Sequence, residues 1–94
     1  MKRQLRIPAP TVELVRGLHP VIKRKVRAGL ARLLEDPQAG KALEDELEGL
    51  RSFSVGRLRI VYRIGDSRVI EVVAVGPRQR IYEDTLRLVR RDEL

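Results

Sequence analysis

Leu50-Arg51-Ser52-Phe53-Ser54-Val55-Gly56-Arg57-Leu58-Arg59-Ile60-Val61-Tyr62-Arg63-Ile64 is the stretch that decides the fold. Apolar and polar residues alternate on both sides of Gly56-Arg57, the period of paired strands. With those two residues as the loop, Gly56 takes the first central position of a type II′ turn, where a positive φ favours glycine. The register follows. Val55 faces Leu58, Phe53 faces Ile60 and Arg51 faces Tyr62 on the core side. Ser54 opposite Arg59, Ser52 opposite Val61, and Arg63 beyond them take the other face.

Outward from this hairpin, Gly65-Asp66-Ser67 reads as a turn and Arg68–Val75 as a third strand. Ile70 to Val75 is apolar on both faces apart from Glu71, as a central strand requires. Gly76-Pro77 ends it, and Tyr82 to Arg91 reads as a final helix with Leu86 and Val89 inward. Upstream, Lys41–Gly49 is short and acidic, a helical turn or two or an ordered loop. Ile22, Val26, Leu30, Leu33 and Leu34 make one helical stripe, with Pro20 in the first turn of that helix. A shorter helix carries Val12, Val15 and Leu18, with Thr11 as its N-cap. Lys2–Ile7 alternates as a first strand stopped by Pro8 and Pro10. The order β-α-α-β-β-β-α describes an α+β domain, one sheet with helices packed on one side.

Composition narrows the classes. Ninety-four residues, 43% of them hydrophobic, build one domain with a Leu/Val/Ile core, since only three side chains are aromatic. No apolar run spans a membrane, and Met1-Lys2-Arg3-Gln4-Leu5-Arg6 lacks the apolar stretch of a signal peptide. The chain has no cysteine, so disulfides and thiolate metal sites are excluded, and a cytoplasmic home is expected. No metal-ligand spacing, phosphate-binding glycine loop or nucleophile elbow is present, so no metal or cofactor is expected.

The net charge is +7, and from Leu50 onward there are ten arginines and no lysine. Arginine forks onto phosphate and stays charged when partly buried. A GC-rich genome or a heat-loving host would also raise the total, but placement is more telling. The register sends Arg59 and Arg63 to an open face, and the Gly76–Tyr82 loop adds Arg78, Arg80 and Tyr82 at its edge. Such a face suits a nucleic-acid strand, with phosphates on arginine and a base on tyrosine. It equally describes an ordinary solvated sheet face.

Three segments carry a family resemblance. They are Leu18-His19-Pro20-Val21-Ile22-Lys23, Leu33-Leu34-Glu35-Asp36-Pro37, and Leu47 through Ile64, followed by Gly76-Pro77-Arg78 and Ile81-Tyr82. Together they resemble the RelE/ParE superfamily of toxins from bacterial type II toxin–antitoxin systems, over nearly the whole of residues 1–94. The hairpin Val55-Gly56 to Arg59-Ile60-Val61-Tyr62 is its most specific part.

The resemblance implies a RelE-like fold, mostly antiparallel, with two N-terminal helices on one face. It implies a toxin neutralised by a cognate antitoxin with an acidic, partly disordered tail. RelE-like members are ribosome-dependent mRNA endonucleases that work without metal, by 2′-OH attack on the adjacent phosphate. ParE-like members inhibit DNA gyrase and lack that site; a third possibility is a non-toxic relic of the fold. By position, Arg59 resembles the phosphate-binding strand arginine, Arg78 the arginine that stabilises the transition state, and Tyr82 the C-terminal tyrosine. Arg51, Arg57, Arg63 and Arg80 are expected RNA contacts.

The chain also departs from the pattern. Ser52 and Ser54 stand where RelE-like nucleases usually carry a basic residue. Lys41 and the pair Arg80 and Ile81 replace the glutamate and histidine of other members. His19 sits at a helix junction, where capping or packing explains it better than catalysis. Arginine and tyrosine do not readily give up protons near neutral pH, so no general base is evident.

Overall fold

Gly56 adopts φ 59° and Arg57 does not enter the left-handed region, as the type II′ turn requires. The turn joins β3 (Arg51–Val55) to β4 (Leu58–Ile64), and all five expected pairs form, from Val55 with Leu58 to Arg51 with Tyr62. The computed structural model describes residues 3–92, without the side chains of Ser67, Arg91 and Asp92; Lys2, expected to begin the first strand, lies outside them.

Around the hairpin, β1 (Gln4–Arg6), β2 (Lys41–Ala42) and β5 (Val69–Pro77) complete a five-stranded sheet of order β1-β5-β4-β3-β2. β1 runs parallel to β5, and the other pairs are antiparallel. Three short 3-10 turns, Pro37–Ala39, Asp45–Leu47 and Asp66–Arg68, link the elements. The acidic segment is therefore a two-residue edge strand followed by a tight turn.

Helices α1 (Ala9–Arg16) and α2 (Pro20–Glu35) cover one face of the sheet. The α2 stripe is inward as its period demands. Val26, Leu30 and Leu33 pack with Ile60, Tyr62, Ile70, Val72 and Val75 in the main core. Each fully buried aliphatic chain there stabilises the fold by about 1.5–3 kcal/mol. His19 caps α2, its Nδ1 accepting the Val21 amide at 3.2 Å. Thr11 is not the cap of α1. That helix begins three residues earlier, with Pro8 at the N-cap position, because Pro10 in its first turn has φ already set for a helix.

Helix α3 (Ile81–Asp92) departs from the expectation of one helical layer. Ile81 joins Leu50, Val61 and Ala74 in a second, smaller core, with Val89 packed against it. Since Val61 alternates with the main-core residues Ile60 and Tyr62, α3 lies on the opposite face. A bulge makes this possible. Val61 pairs with Ala74 but Tyr62 pairs with Val72, so Val73 is the extra residue and Ala74 turns towards α3. Arg90 ties α3 to the Asp45–Leu47 turn through Glu46 at 2.9 Å.

Candidate nucleic-acid interface

The helix-free part of that second face is a shallow cleft of about 260 Å3 lined by Lys41, Leu43, Ser52, Ser54, Arg59, Arg78 and Tyr82. Each side chain arrives by a backbone constraint. The hairpin register puts Ser54 opposite Arg59 and Ser52 opposite Val61. β2 pairs with β3 so that Lys41 stands opposite Ser52 on the same face. Arg78 follows β5, where its amide bonds the Arg57 carbonyl at 3.0 Å. Ile81, the buried first residue of α3, fixes the next residue, Tyr82, at the rim. The Tyr82 hydroxyl lies 3.2 Å from Ser52 Oγ, a hydrogen bond across the cleft.

A second depression, about 490 Å3, adjoins the first and is lined by Gly56, Arg57, Leu58, Arg59, Pro77, Arg78 and Gln79. Arg59 and Arg78 belong to both, so the two form one cationic channel. Among the described residues no carboxylate lines either part. Unopposed guanidinium and ammonium groups in a concave surface concentrate the positive field and favour an anionic ligand.

The sequence-expected residues thus separate into groups. Arg59, Arg78 and Tyr82 come together, and Arg57 extends the channel they line. Arg80 is exposed in the turn before α3, where its carbonyl accepts the Asp84 amide at 3.0 Å. Arg63 stands apart, hydrogen-bonded to Glu71, with α3 seated over Val61 between it and the cleft. That bond, opposed by burial and aided by the charges of Arg63 and Arg6, holds the Glu71 carboxyl below its ordinary range. Arg51 is not in the cleft. On the Tyr62 side of β3 its guanidinium donates to the Gly40 carbonyl at 2.6 Å and to the Gln38 carbonyl at 3.2 Å. The arginine face expected to be open throughout is roofed at its centre, because the apolar side of α3 buries Val61 and Ala74.

Lys41 was missed as a member of the site. A two-residue strand has no period to reveal it, and only the β2–β3 pairing brings it beside Ser52. Its sole sequence signal is its place as a lone base just before an acidic segment.

These features agree with what the chain is similar to. The sequence model of the ParE toxin family of type II toxin–antitoxin systems matches residues 12–82. No curated protein matches the chain. Among solved structures, the RelBE2 toxin–antitoxin complex of Mycobacterium tuberculosis aligns with TM-score 0.72 and 27% identity, covering 83% of this chain and all of that one. An arginine double mutant of E. coli RelE in the free state gives TM-score 0.74 at 21% identity, covering 95% and 99% of the two chains. A chain of the archaeal RelE–RelB complex from Pyrococcus horikoshii gives 0.69 at 21%, covering 85% and 99%. The chain belongs to the ParE toxin family of type II toxin–antitoxin systems, within the RelE/ParE superfamily.

Proposed function

We propose that this toxin is a metal-independent mRNA endonuclease that acts on the ribosome in the cytoplasm. The convergence of Arg59, Arg78 and Tyr82 in one channel free of lining carboxylates carries the reading. In the reaction a ribose 2′-oxygen forms a bond to the adjacent phosphorus and the bond to the 5′-oxygen breaks. The 2′-hydroxyl loses its proton and the departing 5′-oxygen gains one. Negative charge builds on the phosphoryl oxygens, and Arg59 and Arg78 stabilise it. Tyr82, more than a third exposed, offers its ring to a base and its hydroxyl to the reacting nucleotide. The ribosome orients the strand, and positioning of this kind supplies much of the rate.

The deciding experiment adds purified toxin to ribosomes translating a defined mRNA. Cleavage by the wild type and a loss of roughly 100-fold or more in Arg78→Ala are expected, the scale of removing one transition-state donor. Equal cleavage by Arg78→Ala overturns the mechanism. One observation favours a second reading, gyrase inhibition: the matching family model is that of ParE toxins. Inhibition of supercoiling without mRNA cleavage would establish it.

The partner in this reading is a cognate antitoxin with an acidic, partly disordered tail, in keeping with the antitoxin-bound relatives. A groove lined by Ile7, Val12, Val15 and Leu30, and edged by Arg16, Lys23 and Arg27, offers such a tail apolar seats within a basic rim. A short neighbouring reading frame of that composition, and a stable complex on co-expression, are expected.

A further inference from the structure

We infer that Lys41 is a phosphate ligand of the channel, its ammonium meeting the same phosphodiester segment as Arg59 and Arg78. The inference rests on the proposed RNA-binding role of the channel. Three observations carry it. Lys41 lines the cleft together with Arg59, Arg78 and Tyr82. It stands opposite Ser52, whose Oγ is hydrogen-bonded to the Tyr82 hydroxyl, so it flanks the only cross-cleft side-chain bond among the described residues. The chain leading to it is held from below. The Tyr62 hydroxyl donates to the Pro37 carbonyl at 2.6 Å and accepts the Gly40 amide at 3.0 Å, and Arg51 donates to the Gly40 carbonyl. Gly40, immediately before Lys41, is therefore fixed by two hydrogen bonds, and the third holds Pro37 at the start of the same loop.

A lysine on an edge strand also discourages strand addition, and that role alone would account for an exposed Lys41. The two roles differ in what they require. Guarding an edge needs only charge directed to solvent. Lys41 instead borders a concave surface where Arg59 and Arg78 supply two more cations and the lining supplies no anion. The side-chain hydroxyls of Ser52 and Ser54 between them can donate to phosphate oxygens without adding charge. A single strand threaded along the channel would meet guanidinium groups on one wall and the ammonium on the other.

The test uses a 2′-O-methylated trinucleotide, which cannot be cut by 2′-oxygen attack, with fluorescence anisotropy over a range of salt. Wild type, Lys41→Met and Lys41→Arg are compared, with unfolding midpoints confirming that each is folded. Lys41→Met is expected to bind about tenfold more weakly, the scale of one charge-assisted hydrogen bond. Its slope of log affinity against log salt should be shallower by about 0.7, one phosphate contact on a single strand. Lys41→Arg should retain the slope. Equal affinity and slope for wild type and Lys41→Met overturn the inference, as does failure of the wild type to bind. A parallel cleavage assay on translating ribosomes separates the two claims. Binding that depends on Lys41 without any cleavage leaves the ligand and removes the nuclease; cleavage with unchanged binding in Lys41→Met does the reverse.

Discussion

The Tyr62 hydroxyl, on β4, accepts the amide of Gly40, the residue before β2, at 3.0 Å, and donates to the Pro37 carbonyl. Tyr62 is fully buried, so this pair converts a core residue into the anchor of a surface loop. The loop leads straight into the Lys41 strand, linking the main core to the rim of the cationic channel.

Tyr62→Phe keeps the ring but removes both bonds and leaves the buried Gly40 amide without its partner. A loss of about 1–3 kcal/mol is expected. Denaturant unfolding measures it, and a midpoint equal to wild type would show that the loop holds without the hydroxyl.

Gly40→Ala tests the same contact from the other side. A Cβ there would lie 2.7 Å from Tyr62 Cε1 and 2.9 Å from the Ser52 carbonyl oxygen, and neither can yield freely. Overpacking of this kind costs about 1–3 kcal/mol. The expected result is a lower thermal midpoint, together with weaker oligonucleotide binding as the Lys41 strand shifts.

Arg51 and Arg78 should fail in different assays. Arg51→Ala removes the donor to Gly40 and Gln38 and should destabilise the fold by about 1–3 kcal/mol. Arg78 is exposed, so Arg78→Ala should leave the unfolding free energy within about 0.5 kcal/mol of wild type while lowering cleavage roughly 100-fold or more. A large cleavage loss with full stability in Arg51→Ala would return that residue to the RNA contacts.

Ser52→Ala, Tyr82→Phe and the double variant form a cycle across the cleft. Their 3.2 Å contact predicts a coupling of about 0.5–1.5 kcal/mol in unfolding free energy. Strict additivity would mean that the hydroxyls act independently.

Glu71 makes acid sensitivity local. Its folded carboxyl lies below the ordinary value of 4.5, held there first by the hydrogen bond from Arg63. The native state therefore binds fewer protons than the unfolded chain, and this contribution is present above that value. It fades as pH falls from about 4.5 through the folded pKa. Glu71→Gln should flatten the fall of stability in that window and leave the slope near neutrality unchanged.

The hairpin was legible residue by residue because a two-residue turn and strict alternation leave one register that buries Val55, Ile60 and Tyr62 together, with Phe53 packed against them. The α2 stripe and the placing of Arg59 were legible for the same reason: a local period fixes which way side chains point. The roles proposed for Arg78 and Tyr82 rest on the resemblance, since no strand period reaches the loop and helix start that carry them.

The sequence by itself thus determined four of the five strands, the long helix, the basic excess and the family resemblance. Tertiary structure alone decided which arginines share a surface. Hydrophobic pattern within α3 shows that one side must be buried, but not on which face of the sheet. The bulge at Val73 and the burial of Ile81 settled that, covering Val61 and separating Arg63 from Arg59. Likewise, two residues of β2 carry no readable pattern, and their hydrogen bonds to β3 depend on a loop held by Tyr62 from 22 positions away. Local periodicity fixes the direction of a side chain relative to its own backbone; only packing between distant segments fixes what it meets.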